Sequence, residues 1–254
     1  MTNKNIQLTS TISEDNKLTL ALKNIEMPKP NADEVVIRIE AAPLNPSDLG
    51  VLFSAADMST AKQSGTDENP VITADVPAQF MPSLKTRVGK ATPVGNEGAG
   101  TVVAAGSSPA AQALMGKTVA VIGGGTYRQF ICANVQSCLE LKEGTTAKEG
   151  ASSFVNPLTA LAMVETMRAE GHKAIIHAAA ASNLGQMLNR ICIADGVDLI
   201  NIVRKPEQEK LLRDMGAKYI VNSSSDTFLA DLTAAIIETG ATIAFDPIGG
   251  GQLT

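Results

Sequence analysis

Hydrophobic residues recur in short alternating runs over the first half of the chain. These runs include residues 17–25 (KLTLALKNI), 34–48 (EVVIRIEAAPLNPSD), 98–106 (GAGTVVAAG) and 117–133 (KTVAVIGGGTYRQFICA), and Gly, Pro or Asn punctuates them. A period of two between turn residues is typical of half-buried strands. We therefore predict a mostly antiparallel β domain in this half.

The pattern changes near residue 147, where a helical segment is predicted to begin. Beyond it, amphipathic helical segments alternate with apolar strand-like runs, namely KAIIHA, VDLINIVR, KYIVN and ATIAFDPIGG. Strict alternation of strand and helix predicts right-handed βαβ units around a parallel sheet. The expected fold is therefore α/β, with two domains at residues 1–146 and 147–254.

Composition narrows the classes of function. The 254 residues are 44% hydrophobic and 19% charged, with a net charge of −5. This composition is typical of globular proteins, and the sequence lacks the concentrated basic face that nucleic-acid binding needs. We expect a small-molecule partner, and neither nucleic acid nor a membrane. The sequence has no apolar leader and no run near the roughly 20 apolar residues of a membrane span, which predicts a cytoplasmic protein.

The cysteines and histidines do not have the spacing of a metal site. Cys132, Cys138 and Cys192 form no Cys-x-x-Cys pair, and His172 and His177 stand outside any ligand spacing. We expect buried apolar thiols and no bound metal.

The segment AAASNLG, residues 179–185, lies where the first β-to-α turn of the second domain is predicted. Small residues at such a turn let a dinucleotide pyrophosphate approach the amides at the start of the helix. Ser182 stands where the middle glycine of this motif is usual. Tight packing of the turn, without a cofactor, is the alternative.

Arg204 and Lys205 follow the second predicted strand, about 20 residues beyond the turn, where the adenine ribose is read. An acidic residue here would bind the free 2′-hydroxyl of NADH, whereas a guanidinium and an ammonium suit a 2′-phosphate. The sequence therefore favours NADPH as the cofactor. Alternatively, the two cations merely flank a helix that begins at Pro206 and ends at Gly216.

Several short motifs occur in one order: AAPLNPSDLG, PVGNEGAGTVVAAG, GGGTYRQF, VNPLTAL, AAASNLG and RDMGAKYIVN. Together they resemble the medium-chain dehydrogenase/reductase superfamily, specifically its zinc-free quinone oxidoreductase and enoyl reductase branches. The resemblance runs from about Leu18 to the last residue. It implies a GroES-like β-barrel domain followed by a Rossmann domain, with the active site in the cleft between them.

The resemblance also implies site residues. In similar enzymes, positions matching Asn45 and Thr159 lie against the nicotinamide, and the turn that holds the pyrophosphate matches Ala180, Ala181, Ser182, Asn183, Leu184 and Gly185. Asp48, in the segment NPSD, is a further catalytic candidate, with capping of a turn as its alternative. Asp246 follows the fourth predicted parallel strand, where open α/β sheets bind ligands, and is a candidate cofactor contact.

Zinc-dependent relatives carry a cysteine near Asn45, a histidine near Asn96 and a four-cysteine lobe, and this sequence has none of them. Hydride transfer to an activated acceptor, such as a quinone or an enone, needs no Lewis acid and is therefore favoured over alcohol oxidation. Enoyl reductase relatives supply a tyrosine in the region matching residues 51–93, where this sequence has none. The acyl-thioester reaction therefore lacks its proton donor.

Two further segments depart from a simple pattern. Residues 51–93 show little periodicity and are predicted to be a long loop, either a lid whose Phe53, Met58, Phe80 and Met81 line an acceptor pocket or an insertion packed on its own barrel. Four parallel strands precede the end of the chain, whereas a doubly wound domain typically has six. We therefore expect a Rossmann domain that is cut short, with a bare strand edge that invites homo-oligomerisation.

Two functions of different class follow. The first is a zinc-independent, NADPH-dependent oxidoreductase that transfers hydride to a quinone or to an activated alkene or carbonyl. The second is a non-catalytic, truncated remnant that binds NADPH weakly or acts as a protein-interaction module.

Overall fold

The structure, a computed structural model, describes residues 4–247. Contacts divide the chain into two units, Met1–Phe154 and Val155–Thr254. Residues 147–154, which the sequence pattern places at the start of the second domain, lie in the first unit because Ala147 and Ala151 pack against Ala99 and Ala120. Within residues 4–247, no helix is both long and apolar enough to cross a membrane.

Short strands and connections make up the first unit. Its elements are β1 (Asn5–Ile12), β2 (Lys17–Ile25), β3 (Glu34–Ala41), α1 (Pro46–Leu52), β4 (Asp57–Gly65), β5 (Pro70–Asp75), α2 (Met81–Leu84), β6 (Thr92–Pro93), β7 (Glu97–Ala105), α3 (Pro109–Ala113), β8 (Thr118–Ile122), β9 (Phe130–Asn134), β10 (Cys138–Glu140) and α4 (Ala147–Gly150). Turns of 3-10 helix lie at Ala78–Phe80 and Val135–Ser137. The strands form two five-stranded sheets, ordered β4-β5-β2-β1-β6 and β10-β8-β7-β3-β9. Neighbouring strands pair in antiparallel fashion, which confirms the predicted β domain.

The segment predicted to be a long loop, residues 51–93, contains β4, β5 and α2. The hairpin of β4 and β5 extends the first sheet through β2. The prediction of a loop was wrong because β4 is an edge strand whose side chains are mostly exposed, so it has no hydrophobic alternation to detect. Phe53, Met58 and Met81 pack on the core of the first sheet, as the barrel-packing alternative requires.

The second unit alternates helix and strand. Its elements are α5 (Val155–Ala169), β11 (Ala174–His177), α6 (Asn183–Asp195), β12 (Asp198–Val203), α7 (Pro206–Asp214), β13 (Tyr219–Asn222), α8 (Phe228–Thr239) and β14 (Ile243–Phe245). Within residues 155–247 these form a four-stranded parallel sheet in the order β13-β12-β11-β14. This order, 3-2-1-4 in chain order, is that of the first four strands of a doubly wound fold, as predicted.

Helices cover both faces of this sheet because its strands are apolar on both sides. Ile175 and Leu199 pack with α5 and α6, whereas Ile200 and Ile202 pack with α8. Consecutive strand residues point to opposite faces, so the near-continuous apolar run DLINIV supplies both cores.

The turn between β11 and α6 is constrained at both of its ends. Ala179 has a φ of 53°, in the left-handed region that is unfavourable for a residue with a Cβ atom. At the other end, a Cβ atom on Gly185 would overlap the carbonyl group of Ala180. The first turn of α6 therefore lies directly on the backbone that leaves β11.

Gly185→Ala should destabilise the protein by about 1–3 kcal/mol, because the added methyl group forces the helix away from the Ala180 backbone. The measurement is the midpoint of urea unfolding followed by far-UV circular dichroism. Gly50→Ala is the matched control, since Gly50 lies in α1 and a Cβ atom there would meet no neighbouring atom within 4 Å. An equal midpoint for Gly185→Ala and wild type would contradict the close contact.

Ala179→Gly should have the opposite effect and stabilise the fold by about 1 kcal/mol, because glycine adopts a positive φ without a steric penalty. The same urea titration tests this expectation. A lower midpoint for Ala179→Gly would show that the left-handed conformation at this position is not a source of strain.

Candidate functional site

The carboxyl ends of β11 and β12 border a crevice of about 250 Å³ in the second unit. We call it the β11–α6 crevice, and its walls are formed by Ala179, Ala180, Ala181, Ser182, Ile202, Val203, Arg204, Gln208 and Ser223. The predicted pyrophosphate turn and the predicted ribose-reading arginine therefore border one space. No acidic side chain is among these lining residues.

The start of α6 supplies hydrogen-bond donors beside this crevice. Ser182 caps the helix, its Oγ accepting a hydrogen bond from the Gly185 amide at 3.1 Å. The amides of Asn183 and Leu184 have no acceptor within residues 4–247. Unpaired amides at a helix start carry a partial positive charge and bind anions. Serine in place of the usual glycine therefore serves as the helix cap.

Arg204 also lines the crevice and lies on the segment that joins β12 to α7. The amides of Arg204 and Lys205 donate to Oε1 of Gln208 at 3.0 and 3.1 Å. The Arg204 carbonyl oxygen accepts a hydrogen bond from Ser224 Oγ at 2.9 Å. The Arg204 backbone is thus held on two sides, while its side chain is exposed. Lys205 is the N-cap residue of α7, as its alternative interpretation requires, and is not among the lining residues.

Other predicted residues of the second unit are also absent from the lining of the crevice, namely Thr159, Asn183, Leu184, Gly185 and Asp246. Thr159 is exposed on α5, where its hydroxyl donates to the Val155 carbonyl oxygen at 2.6 Å. Asp246 follows β14. Burial lowers the pKa of His177 at the end of β11, against smaller raising effects of the Phe245 backbone and the Asp246 charge. A neutral imidazole therefore lies at the end of this strand at neutral pH.

The candidates of the first unit lie at the start of α1. Asn45 and Asp48 are 4% and 1% exposed. The Asn45 amide donates to Asp48 Oδ2 at 2.8 Å, and the Asp48 amide donates to the Asn45 carbonyl oxygen at 2.9 Å. Asp48 therefore caps the helix, which is the structural alternative weighed for it. This bond also fixes the position of the Asn45 backbone.

Glu97 is a buried acid that sequence reasoning missed. Its side chain is 1% exposed, and its carboxylate accepts hydrogen bonds from Asn45 Nδ2 at 2.9 Å and from the Phe154 amide at 2.8 Å. Because a carboxylate only accepts, the NH₂ end of the Asn45 amide must face Glu97. The available signal was a lone acid inside the small-residue run GNEGAG.

Tyr127 lies near Asp48, although the sequence motif GGGTYRQF did not indicate a site residue there. Its hydroxyl donates to the Pro43 carbonyl oxygen at 2.7 Å. Burial raises the pKa of Tyr127, and the negative charge of the nearby Asp48 raises it further. The phenol is therefore held protonated beside Asp48 at neutral pH.

Asparagines stand at the two positions, 45 and 96, near which zinc-dependent relatives carry a cysteine and a histidine. Asn45 donates to Glu97, and Asn96 Nδ2 donates to Ser47 Oγ at 3.0 Å. Within residues 4–247, no group of three or more His, Cys, Asp or Glu side chains is arranged to hold a metal ion.

Known proteins similar in sequence are reductases. Mitochondrial enoyl-[acyl-carrier-protein] reductase of Mus musculus is 29% identical over 206 residues, which cover 79% of this chain and 48% of that protein. Quinone oxidoreductase of Pseudomonas aeruginosa is 26% identical over 159 residues, or 61% of this chain and 49% of that protein. The chain thus spans about half the length of these relatives. No protein-family model matches the sequence.

Solved structures show the same two-part fold. A Mesorhizobium loti protein assigned as an NADPH:quinone reductase superposes with a TM-score of 0.72 at 26% identity, over 99% of this chain and 69% of that one. A mycobacterial protein solved with NADPH bound superposes with a TM-score of 0.68 at 20% identity, over 98% and 68%. In sequence and in fold, this chain is similar to enoyl reductases and quinone oxidoreductases, in agreement with the resemblance to the zinc-free branches of the medium-chain dehydrogenase/reductase superfamily.

Proposed function

We propose that this chain carries the nucleotide-binding part of a zinc-independent, NADPH-dependent oxidoreductase that transfers hydride to a quinone or to an activated alkene or carbonyl. The observation that carries the proposal is the β11–α6 crevice, which joins a small-residue turn to Arg204. The nicotinamide cofactor is supported by the reductases among its relatives and by the NADPH-bound structural neighbour. The small-molecule partner and the cytoplasmic location expected from the sequence belong to the same proposal.

The residues present fit a phosphorylated dinucleotide. Gly185 has no room for a side chain beside the Ala180 backbone, and the start of α6 offers amides to a pyrophosphate. Arg204 offers a guanidinium to a 2′-phosphate, and the crevice lining contains no carboxylate that would oppose it. Lys205 and Asp246, which do not line the crevice, have lesser support as cofactor contacts.

Bound NADPH would supply the hydride. The task of the protein is to orient the reactants, exclude water and polarise the acceptor carbonyl group. Asn45 is the best supported residue for orientation, because Glu97 and Asp48 fix its side chain and its backbone. Asp48 and Thr159 remain proposed catalytic residues, although the hydrogen bonds of both also serve the ends or turns of helices.

The class of acceptor remains part of the proposal. Relatives include enoyl-[acyl-carrier-protein] reductases as well as a quinone oxidoreductase. Reduction of an enoyl thioester needs a positioned proton donor for the enolate, and residues 51–93 contain no tyrosine. Reduction of a quinone or a simple enone does not require this tyrosine, because solvent can supply the proton. They are therefore the favoured acceptors.

The purified protein should oxidise NADPH in the presence of a quinone or enone from a panel of both classes, followed by the loss of absorbance at 340 nm. Gly185→Ala is the matched control, since it should abolish turnover by displacing the amides of α6. Binding of adenosine 2′,5′-bisphosphate without turnover of any acceptor would instead support a non-catalytic protein that only binds the nucleotide.

Arg204→Ala should raise the Kd for NADPH about 10- to 100-fold and leave the Kd for NADH nearly unchanged, because a charge-assisted phosphate contact is lost. Fluorescence titration of each cofactor measures this. Arg190→Ala, which removes an exposed cation on α6 outside the crevice lining, is the control and should bind both cofactors as wild type does. Equal losses for NADPH and NADH would contradict the phosphate-reading role of Arg204.

A further inference from the structure

Gln208 lies in the first turn of α7 and lines the β11–α6 crevice next to Arg204. Its Oε1 accepts hydrogen bonds from the amides of both Arg204 and Lys205, at 3.0 and 3.1 Å. The side chain thus closes the start of α7 in the manner of a capping box, in which the third helical residue reaches back to the N-cap amide.

These two hydrogen bonds determine the positions of the oxygen and the nitrogen of the Gln208 side-chain amide. Backbone amides only donate, so the oxygen of the side chain must face them and its NH₂ group must point elsewhere. Nε2 donates to no acceptor within residues 4–247. Gln208 therefore presents two unused donors from a wall of the crevice that it shares with Arg204.

Glutamate would serve the cap at least as well as glutamine. A carboxylate accepts from the same two amides, and a negative charge in the first turn of a helix is stabilising. The neighbouring acids of α7 do not line the crevice, and Glu209 pairs with Arg213 at 2.7 Å. Of the residues in the first turn of α7, Gln208 lines the crevice, and its side chain is neutral. No acid of this turn therefore offsets the positive charge of Arg204 in the crevice.

We propose that Gln208 is a specificity-determining residue for a nucleotide that carries a ribose 2′-phosphate. Its Oε1 positions the Arg204 backbone, its Nε2 donates to the phosphate, and its neutrality keeps negative charge away from that anion. This proposal rests on the proposed function, because it assigns a second contact to the same cofactor.

Gln208→Glu tests the proposal, since it retains both capping bonds and adds one negative charge beside the phosphate. The Kd for NADPH and for adenosine 2′,5′-bisphosphate should rise about 10- to 100-fold, as expected for like charges a few ångströms apart at a protein surface. The Kd for NADH should change less than about threefold. Isothermal titration calorimetry measures each Kd, and thermal unfolding should give a melting temperature no lower than that of wild type.

Two control variants separate charge from capping. Thr233→Glu adds the same charge on the exposed surface of α8 and should leave every Kd unchanged. Gln208→Met removes both polar ends at similar length, so it should lower the melting temperature and weaken NADPH binding less than Gln208→Glu does. Equal effects of Gln208→Glu on NADPH and NADH would overturn the role of Gln208 alone. Failure of the wild-type protein to bind NADPH and adenosine 2′,5′-bisphosphate would overturn both proposals.

Discussion

The architecture of the second unit depends on one close contact between a helix and a strand. Gly185, in the first turn of α6, lies so near the backbone of Ala180 that any side chain would collide with it. This contact places the start of the helix at the carboxyl end of β11, and its free amides beside the crevice. The strained φ of Ala179 is the local cost of bending the chain into that position.

The electrostatics of the crevice follow from the same geometry. The lining residues include Ser182, which caps α6, the cationic Arg204 and the neutral Gln208, and no acidic residue. The imidazole of His177 is kept neutral by burial, so it adds little charge of its own beneath the turn. An anionic ligand is therefore favoured in this crevice, as the proposed binding of a nicotinamide dinucleotide requires.

In the first unit, buried carboxylates are used to orient amides. Asp48 holds the Asn45 backbone and Glu97 holds its side chain, so neither rotates freely. The positions where zinc-dependent relatives carry a cysteine and a histidine are thus occupied by hydrogen-bonded asparagines. Asn45 is tied to Glu97 and Asn96 to Ser47. The proposed hydride transfer to an activated acceptor would need such fixed polar groups more than it would need a Lewis acid.

The sequence by itself determined the succession of β and α/β units, the parallel sheet, the turn at residues 179–185 and the position of Arg204, because each depends on local periodicity or on spacing along the chain. It did not reveal the β4–β5 hairpin, whose exposed edge strand has no hydrophobic alternation. It also missed Glu97, Tyr127 and Gln208. Their roles depend on partners distant in the sequence, or on which helix face meets the crevice, and only tertiary packing decides either.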